Sequence, residues 1–214
     1  MPNNTSVLDN FGKIYWSYYL MLERKFIETF DYIELDEINA NAYSKNFLAL
    51  LLNVGAEVDN FFKTICEDVY KDPVEKRSTI TTYAHMIFFT DLLKIKNAQV
   101  KIIGIDKPIC PFENWDLNNP STSLKWWDAY NNIKHNRLKN ERFASQNNAL
   151  YALSGLFLLE WRYIFYFIDK GEKFKEPLPC SKLFLDKLHP YVLNGLVCLG
   201  ENGEMSLICG GAND

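Results

Sequence analysis

The chain has 214 residues, of which 48% are hydrophobic and 15% aromatic, enough apolar surface for a sizeable core, so wholesale disorder is excluded. A net charge of −4 gives no global field for attracting nucleic acid or an anionic membrane, and any contact with phosphate has to rest on a local patch. The length fits one domain with an appendage better than two full domains, and the composition divides it into a helical body over residues 1–170 and an extension over 171–214.

The first residues, MPNNTSVLDNFG, lack the basic start and apolar run of a secretory signal. The five cysteines (Cys66, Cys110, Cys180, Cys198 and Cys209) are scattered, with no CxxC pair and no Cys/His cluster at zinc-ligand spacing. Free thiols in a cytoplasmic protein without a metal or other cofactor are the simplest expectation.

From Asp9 to about Tyr32, Phe11, Tyr15, Tyr18, Tyr19, Leu22, Phe26 and Phe30 recur at helical spacing. A polar connection, ELDEINANAY, leads to Ser44, which reads as an N-cap. Beyond it Phe47, Leu51, Val54, Val58, Phe61, Ile65 and Val69 predict a long amphipathic helix that ends near Tyr70, before Pro73. Its acidic residues, Glu57 and Asp59 among them, read as a solvated face. Ser78 or Thr79 caps a third predicted helix running through Leu93, on which His85 is expected in the core.

QVKIIGI then looks briefly extended, and DKPICPFENWDLNNPSTS, with three prolines, has loop chemistry. A connection of this length inside a compact domain is expected to be functional or packed, with Phe112 and Trp115 as anchors. Ser121 to Ser123 open a fourth predicted helix, SLKWWDAYNNIKHNRLK, which loosens around Leu138 to Ser145. The fifth runs from about Ser145 to Asp169 and is nearly apolar for some twenty residues, long enough to span a bilayer. Glu160 and Arg162 in its middle would be costly in lipid, so a buried bundle helix is expected and no membrane contact. After Gly171, GLVCL and MSLIC flank GENGE, which predicts a β-hairpin or an irregular tail, and His189 falls in a loop. The fold class is therefore all-α with a small C-terminal appendage.

The segment Trp126–Arg137, WWDAYNNIKHNR, carries the densest chemistry. In a helix Asp128, Asn131 or Asn132, and His135 share one ridge, and Tyr130, Lys134 and Arg137 the next. From Ser123 to Arg142, Lys139 included, five Lys or Arg stand against two acidic residues, a local +3 in a chain whose remainder is about −7. This spot could hold a phosphate. Lys and Arg near a helix C-terminus are equally expected from the macrodipole, and a histidine there can be structural. The Trp126-Trp127 pair reads as helix–helix packing, with base stacking as the alternative. No GxxxxGK, GxGxxG, GxSxG or HExxH occurs.

A polar helix ending YNNIKHNR, followed by Phe143-Ala144 and a long Ala/Leu-rich helix, resembles the HEPN superfamily, as does the preceding LLLNVGAEVDNFFKTICEDVY. The resemblance covers roughly residues 10 to 170. It implies an up-and-down bundle of four or five helices that dimerises. It also implies a place in prokaryotic toxin–antitoxin, abortive-infection or CRISPR-associated defence, either as a metal-independent ribonuclease or as a noncatalytic binding module. Nuclease members carry Arg, then four to six residues, often Asn first, then His. Here His135 and Asn131 match, while Tyr130 stands in the Arg position.

The resulting expectation is a dimeric component of a defence system with little or no nuclease activity. It would bind RNA, or a protein partner from the same operon, through Asp128, Tyr130, Asn131 and Lys139. The alternative is an endoribonuclease in which His135 moves the proton while Lys134 and Arg137 replace the absent Arg in balancing phosphate charge.

Overall fold

The computed structural model describes residues 7–71, 79–174, 178–187, 197–199 and 205–207. The first helical stretch is continuous but not uniform: α1 (Val7–Phe11) passes through a π-helical turn, Gly12–Trp16, into α2 (Ser17–Ile27) and a closing 3₁₀ turn, Glu28–Asp31. The connection that follows contains a second 3₁₀ turn, Glu37–Asn39, capped by the Asp36 side chain.

Helix α3 (Lys45–Asp68) begins where Ser44 predicts, its hydroxyl accepting from the Phe47 N–H at 3.1 Å. Phe47, Leu51, Val54, Val58, Phe61 and Ile65 form its buried stripe. Helix α4 (Ile80–Phe89) is opened by a capping box between Thr79 and Thr82 and stops at Thr90, whose extended backbone cannot continue it, short of the expected Leu93. Ile80, Tyr83, Ala84 and Ile87 are its buried face. His85 falls opposite that stripe and is exposed, which corrects the expectation of a core histidine.

Residues 100–109 fold back on themselves as β1 (Val100–Ile102) and β2 (Ile105–Ile109), antiparallel and joined through Gly104 at φ 84°. The loop beyond is packed as expected, with Phe112 and Trp115 buried and the Trp115 indole donating to the Pro120 carbonyl at 3.2 Å. A short turn, α5 (Pro120–Ser123), precedes α6 (Lys125–His135). α7 (Arg137–Asn140) and a 3₁₀ turn, Glu141–Phe143, then lead to α8 (Gln146–Ile168), capped by Ser145.

Helix α8 is the axis of the fold. It packs on α2, α3 and α6 and is buried nearly all round from Ala149 to Phe165. That explains its apolar sequence without lipid, and among the described residues no helix is long and apolar enough to cross a membrane.

The C-terminal extension does not separate from the body at residue 170. Strand β3 (Phe184–Asp186) pairs antiparallel with β1, making a three-stranded sheet in the order β2-β1-β3. Asp186 takes the guanidinium of Arg162 in a buried two-point contact, Nη2 to Oδ1 at 2.9 Å and Nε to Oδ2 at 2.7 Å. Glu23, buried on α2, accepts from the Tyr19 hydroxyl at 2.8 Å, from the Lys182 and Leu183 N–H groups at 2.9 and 3.1 Å, and from the Ser181 hydroxyl. The Trp16 indole donates to the Pro179 carbonyl at 2.7 Å. Residues 178–187 therefore belong to the body: they supply three of the four hydrogen bonds described above to buried Glu23 and the carboxylate that pairs with buried Arg162, which an isolated 1–170 unit would lack. The fold is accordingly a helical bundle with a small sheet built across the expected boundary. Further on, β4 (Val197–Leu199) and β5 (Met205–Leu207) pair antiparallel, the strand pairing expected of the hairpin, while the GENGE segment between them lies outside the described residues. His189 lies outside the described residues.

Candidate functional site

Helix α6 divides its residues by face. Trp126, Trp127, Ala129, Tyr130 and Ile133 are buried, so the tryptophan pair serves packing. The Trp126 indole donates to the Pro111 carbonyl at 2.8 Å, and its ring lies against Gly155 of α8. The polar ridge turns outward: Asp128 and Asn131 are half-buried and His135 is exposed.

The helix stops at His135 because Asn136 leaves the helical region, at φ −150° and ψ 77°. Two asparagines close the end. The Asn132 side chain donates to the Asp128 carbonyl at 2.9 Å, and that of Asn140 to the Asn132 carbonyl at 2.8 Å. The chain reverses over α7 and the 3₁₀ turn, which places Lys134, His135, Arg137, Lys139 and Arg142 on one exposed corner between the end of α6 and the start of α8. Leu138 and Phe143 are exposed beside them. Lys134 carries its ammonium 5.3 Å from the centroid of the Tyr130 ring.

Tyr130 itself is only 3% exposed, and its ring fills the space over Gly55 of α3, where a Cβ would lie 2.3 Å from Cδ2. Of the residues expected to bind RNA or a partner, Asp128, Asn131 and Lys139 have solvent access. The Tyr130 ring is spent on the α3–α6 contact, which corrects its expected place on a binding surface. Chemically the corner offers an imidazole for proton transfer and four cations for phosphate. The arginine position of the nuclease pattern points into the core.

Two clefts flank the first turns of α8. One, of about 190 Å³, lies between the loop at Cys110–Asn114 and the start of α6. The other, of about 200 Å³, lies between the 35–40 connection and the β1–β2 hairpin, with the Lys107–Glu37 ion pair in its wall. The sequence pointed to neither, because each is assembled from segments far apart in the chain. It also left the roles of Glu23, Arg162 and Asp186 unseen. Among the described residues no group of three or more His, Cys, Asp or Glu is placed to hold a metal ion.

Comparison with family models, with curated proteins and with solved structures finds no match to this chain.

Proposed function

We propose that the chain is a HEPN-like helical module that binds RNA through the exposed corner at residues 134–142. It works as a dimeric, noncatalytic component of a prokaryotic defence or toxin–antitoxin system. The observation that carries the noncatalytic reading is the burial of Tyr130 over Gly55. A guanidinium at that position would have to enter the α3–α6 interface, so the residue that completes the nuclease pattern has no place to act. RNA is favoured over a protein partner by the chemistry of the corner. Four exposed Lys or Arg within nine residues neutralise phosphates, and Glu141 is the one acidic residue among them.

The test is fluorescence anisotropy with labelled RNA over a range of salt. Binding should weaken steeply as salt rises, and Arg137→Ala with Lys139→Ala should reduce the salt dependence by about one counterion per lost contact. Salt-independent binding, or binding indifferent to these residues, would refute the assignment.

A second reading, a metal-independent endoribonuclease, draws on the exposure of His135 beside Lys134 and Arg137. It requires RNA cleavage that persists in EDTA and disappears in His135→Ala.

A further inference from the structure

The cleft between the loop at 110–114, the start of α6 and the first turns of α8 differs in chemistry from the basic corner. We propose that it is a binding site for a single nucleotide unit, with the base edge read by the carboxamides of Asn114 and Asn147 and the phosphate held by Lys125.

Size sets the first limit. A volume of about 190 Å³ falls below the roughly 300–1,000 Å³ of clefts that enclose drug-sized ligands, and suits one planar ring system with its attachment outside.

The lining sets the second. It contains Lys125 and no carboxylate, which favours an anionic ligand over a cation. The Asn114 and Asn147 side chains are exposed and, among the described residues, have no hydrogen-bond partner. Each offers two donors and an acceptor, the combination that pairs with the mixed donor and acceptor edge of a base. Asn148 is already committed, its Nδ2 donating to the Phe143 carbonyl at 2.8 Å, and its own carbonyl remains to accept. The Cys110 thiol, pushed up by burial and then by the nearby Glu113, stays protonated and adds no charge.

Rigidity is the third consideration. The half-buried ring of Tyr151 supplies a face for stacking. The floor is Trp126, fixed by its bond to the Pro111 carbonyl and its contact with Gly155. The wall is therefore formed before a ligand arrives, which lowers the ordering cost of binding.

The nucleotide can belong to an RNA strand, since the Asn148–Phe143 bond joins the cleft to the turn bearing Arg142, or it can be free. Both sources share one chemistry, and the experiment separates them.

The full chain is titrated calorimetrically with AMP, CMP, GMP and UMP, with the corresponding nucleosides, with inorganic phosphate and with single-stranded RNA. At least one mononucleotide should bind, and Asn147→Ala or Asn114→Ala should weaken it on the order of tenfold. Tyr151→Leu should weaken nucleotide and nucleoside alike. Lys125→Ala should erase the preference for nucleotide over nucleoside. Melting temperatures confirm that each variant is folded, and the exposed Asn114 and Asn147 positions should leave them unchanged. Competition between RNA and the mononucleotide assigns the site to a strand. Mononucleotide binding without RNA binding supports the cleft with a free ligand and refutes the RNA reading of the basic corner. Salt-dependent RNA binding that ignores mononucleotides, Asn114 and Asn147 leaves that reading standing and overturns the nucleotide cleft. So does the absence of binding by all four nucleotides, or binding of inorganic phosphate alone.

Discussion

The Tyr130 ring lies so close over Gly55 that a methyl group on the glycine would meet its Cγ at 2.4 Å. Two helices, α3 and α6, approach through this contact, and the polar face of α6 is turned outward as a result.

The contact predicts a pattern of substitutions. Gly55→Ala should destabilise the protein by about 1–3 kcal/mol, because the ring has to be displaced from a packed interface. Tyr130→Arg should cost at least as much, since it buries a charge with no described acceptor, and it should not produce nuclease activity. Tyr130→Phe keeps the ring and should be nearly neutral. Chemical denaturation of the three variants measures this. A stable Tyr130→Arg protein that cleaves RNA would show that the position can reach solvent.

The second prediction concerns the C-terminal segment. Truncation after Pro179 removes three donors to the Glu23 carboxylate, the Ser181 hydroxyl and the Lys182 and Leu183 N–H groups, and the carboxylate that pairs with Arg162. It also removes Phe184 from the core. The shortened chain should lose cooperative melting. Asp186→Ala alone should cost about 3–5 kcal/mol, the usual penalty for stranding a buried partner. Truncation after 187 retains these contacts and is the control. Equal melting temperatures for the two truncations would show that residues 180–187 are dispensable to the body.

How far the sequence could be read follows from how local each signal is. The Ser44 and Ser145 caps and the stripe from Phe47 to Ile65 are legible because their spacing repeats within one helix. Glu160 and Arg162 were visible as an argument against lipid, but the partner of Arg162 lies 24 residues away on a three-residue strand, too short to carry a period of its own. The basic cluster at 134–142 could be counted in the sequence. Its exposure depends on Asn136 breaking the helix, and the burial of Tyr130 depends on a glycine 75 positions earlier. Neither contact leaves a trace in local composition. The aromatic content of α4 suggests a core position for His85, whereas only the face bearing Ile80, Tyr83, Ala84 and Ile87 is covered.

The third prediction separates the catalytic and noncatalytic readings. His135 is exposed at the end of α6, so His135→Ala should leave stability within about 0.5 kcal/mol of wild type. Under the proposed function it should also leave RNA intact, since wild type cleaves none. A rate that falls on the order of a hundredfold or more in the variant, with EDTA present throughout, would instead make the imidazole a catalytic acid or base.

The last prediction rests on Glu160, which is fully buried in the middle of α8, with neither carboxylate oxygen hydrogen-bonded among the described residues. Burial first, and the nearby charge of Glu57 on α3 second, raise its carboxyl well above the ordinary 4.5. Glu57, half-buried, is also raised, chiefly by desolvation. A carboxyl whose folded value exceeds its unfolded value keeps its proton in the native state after the unfolded chain has lost it. Its contribution to stability is therefore complete below about pH 4.5 and is lost as pH rises toward the folded value. In that window the slope from Glu160 alone approaches about 1.4 kcal/mol per pH unit. Stability measured by denaturant titration at successive pH values should fall as pH rises above 5. Glu160→Gln should flatten the curve, because the amide cannot ionise. Glu160→Leu should raise stability at neutral pH, since a buried unpaired polar group is replaced by an apolar one of similar volume. The tail contacts at Glu23 and Asp186 are left intact by both substitutions. A Glu160→Gln protein with the same pH dependence as wild type would mean that the carboxyl is ionised in the native state and has found a partner.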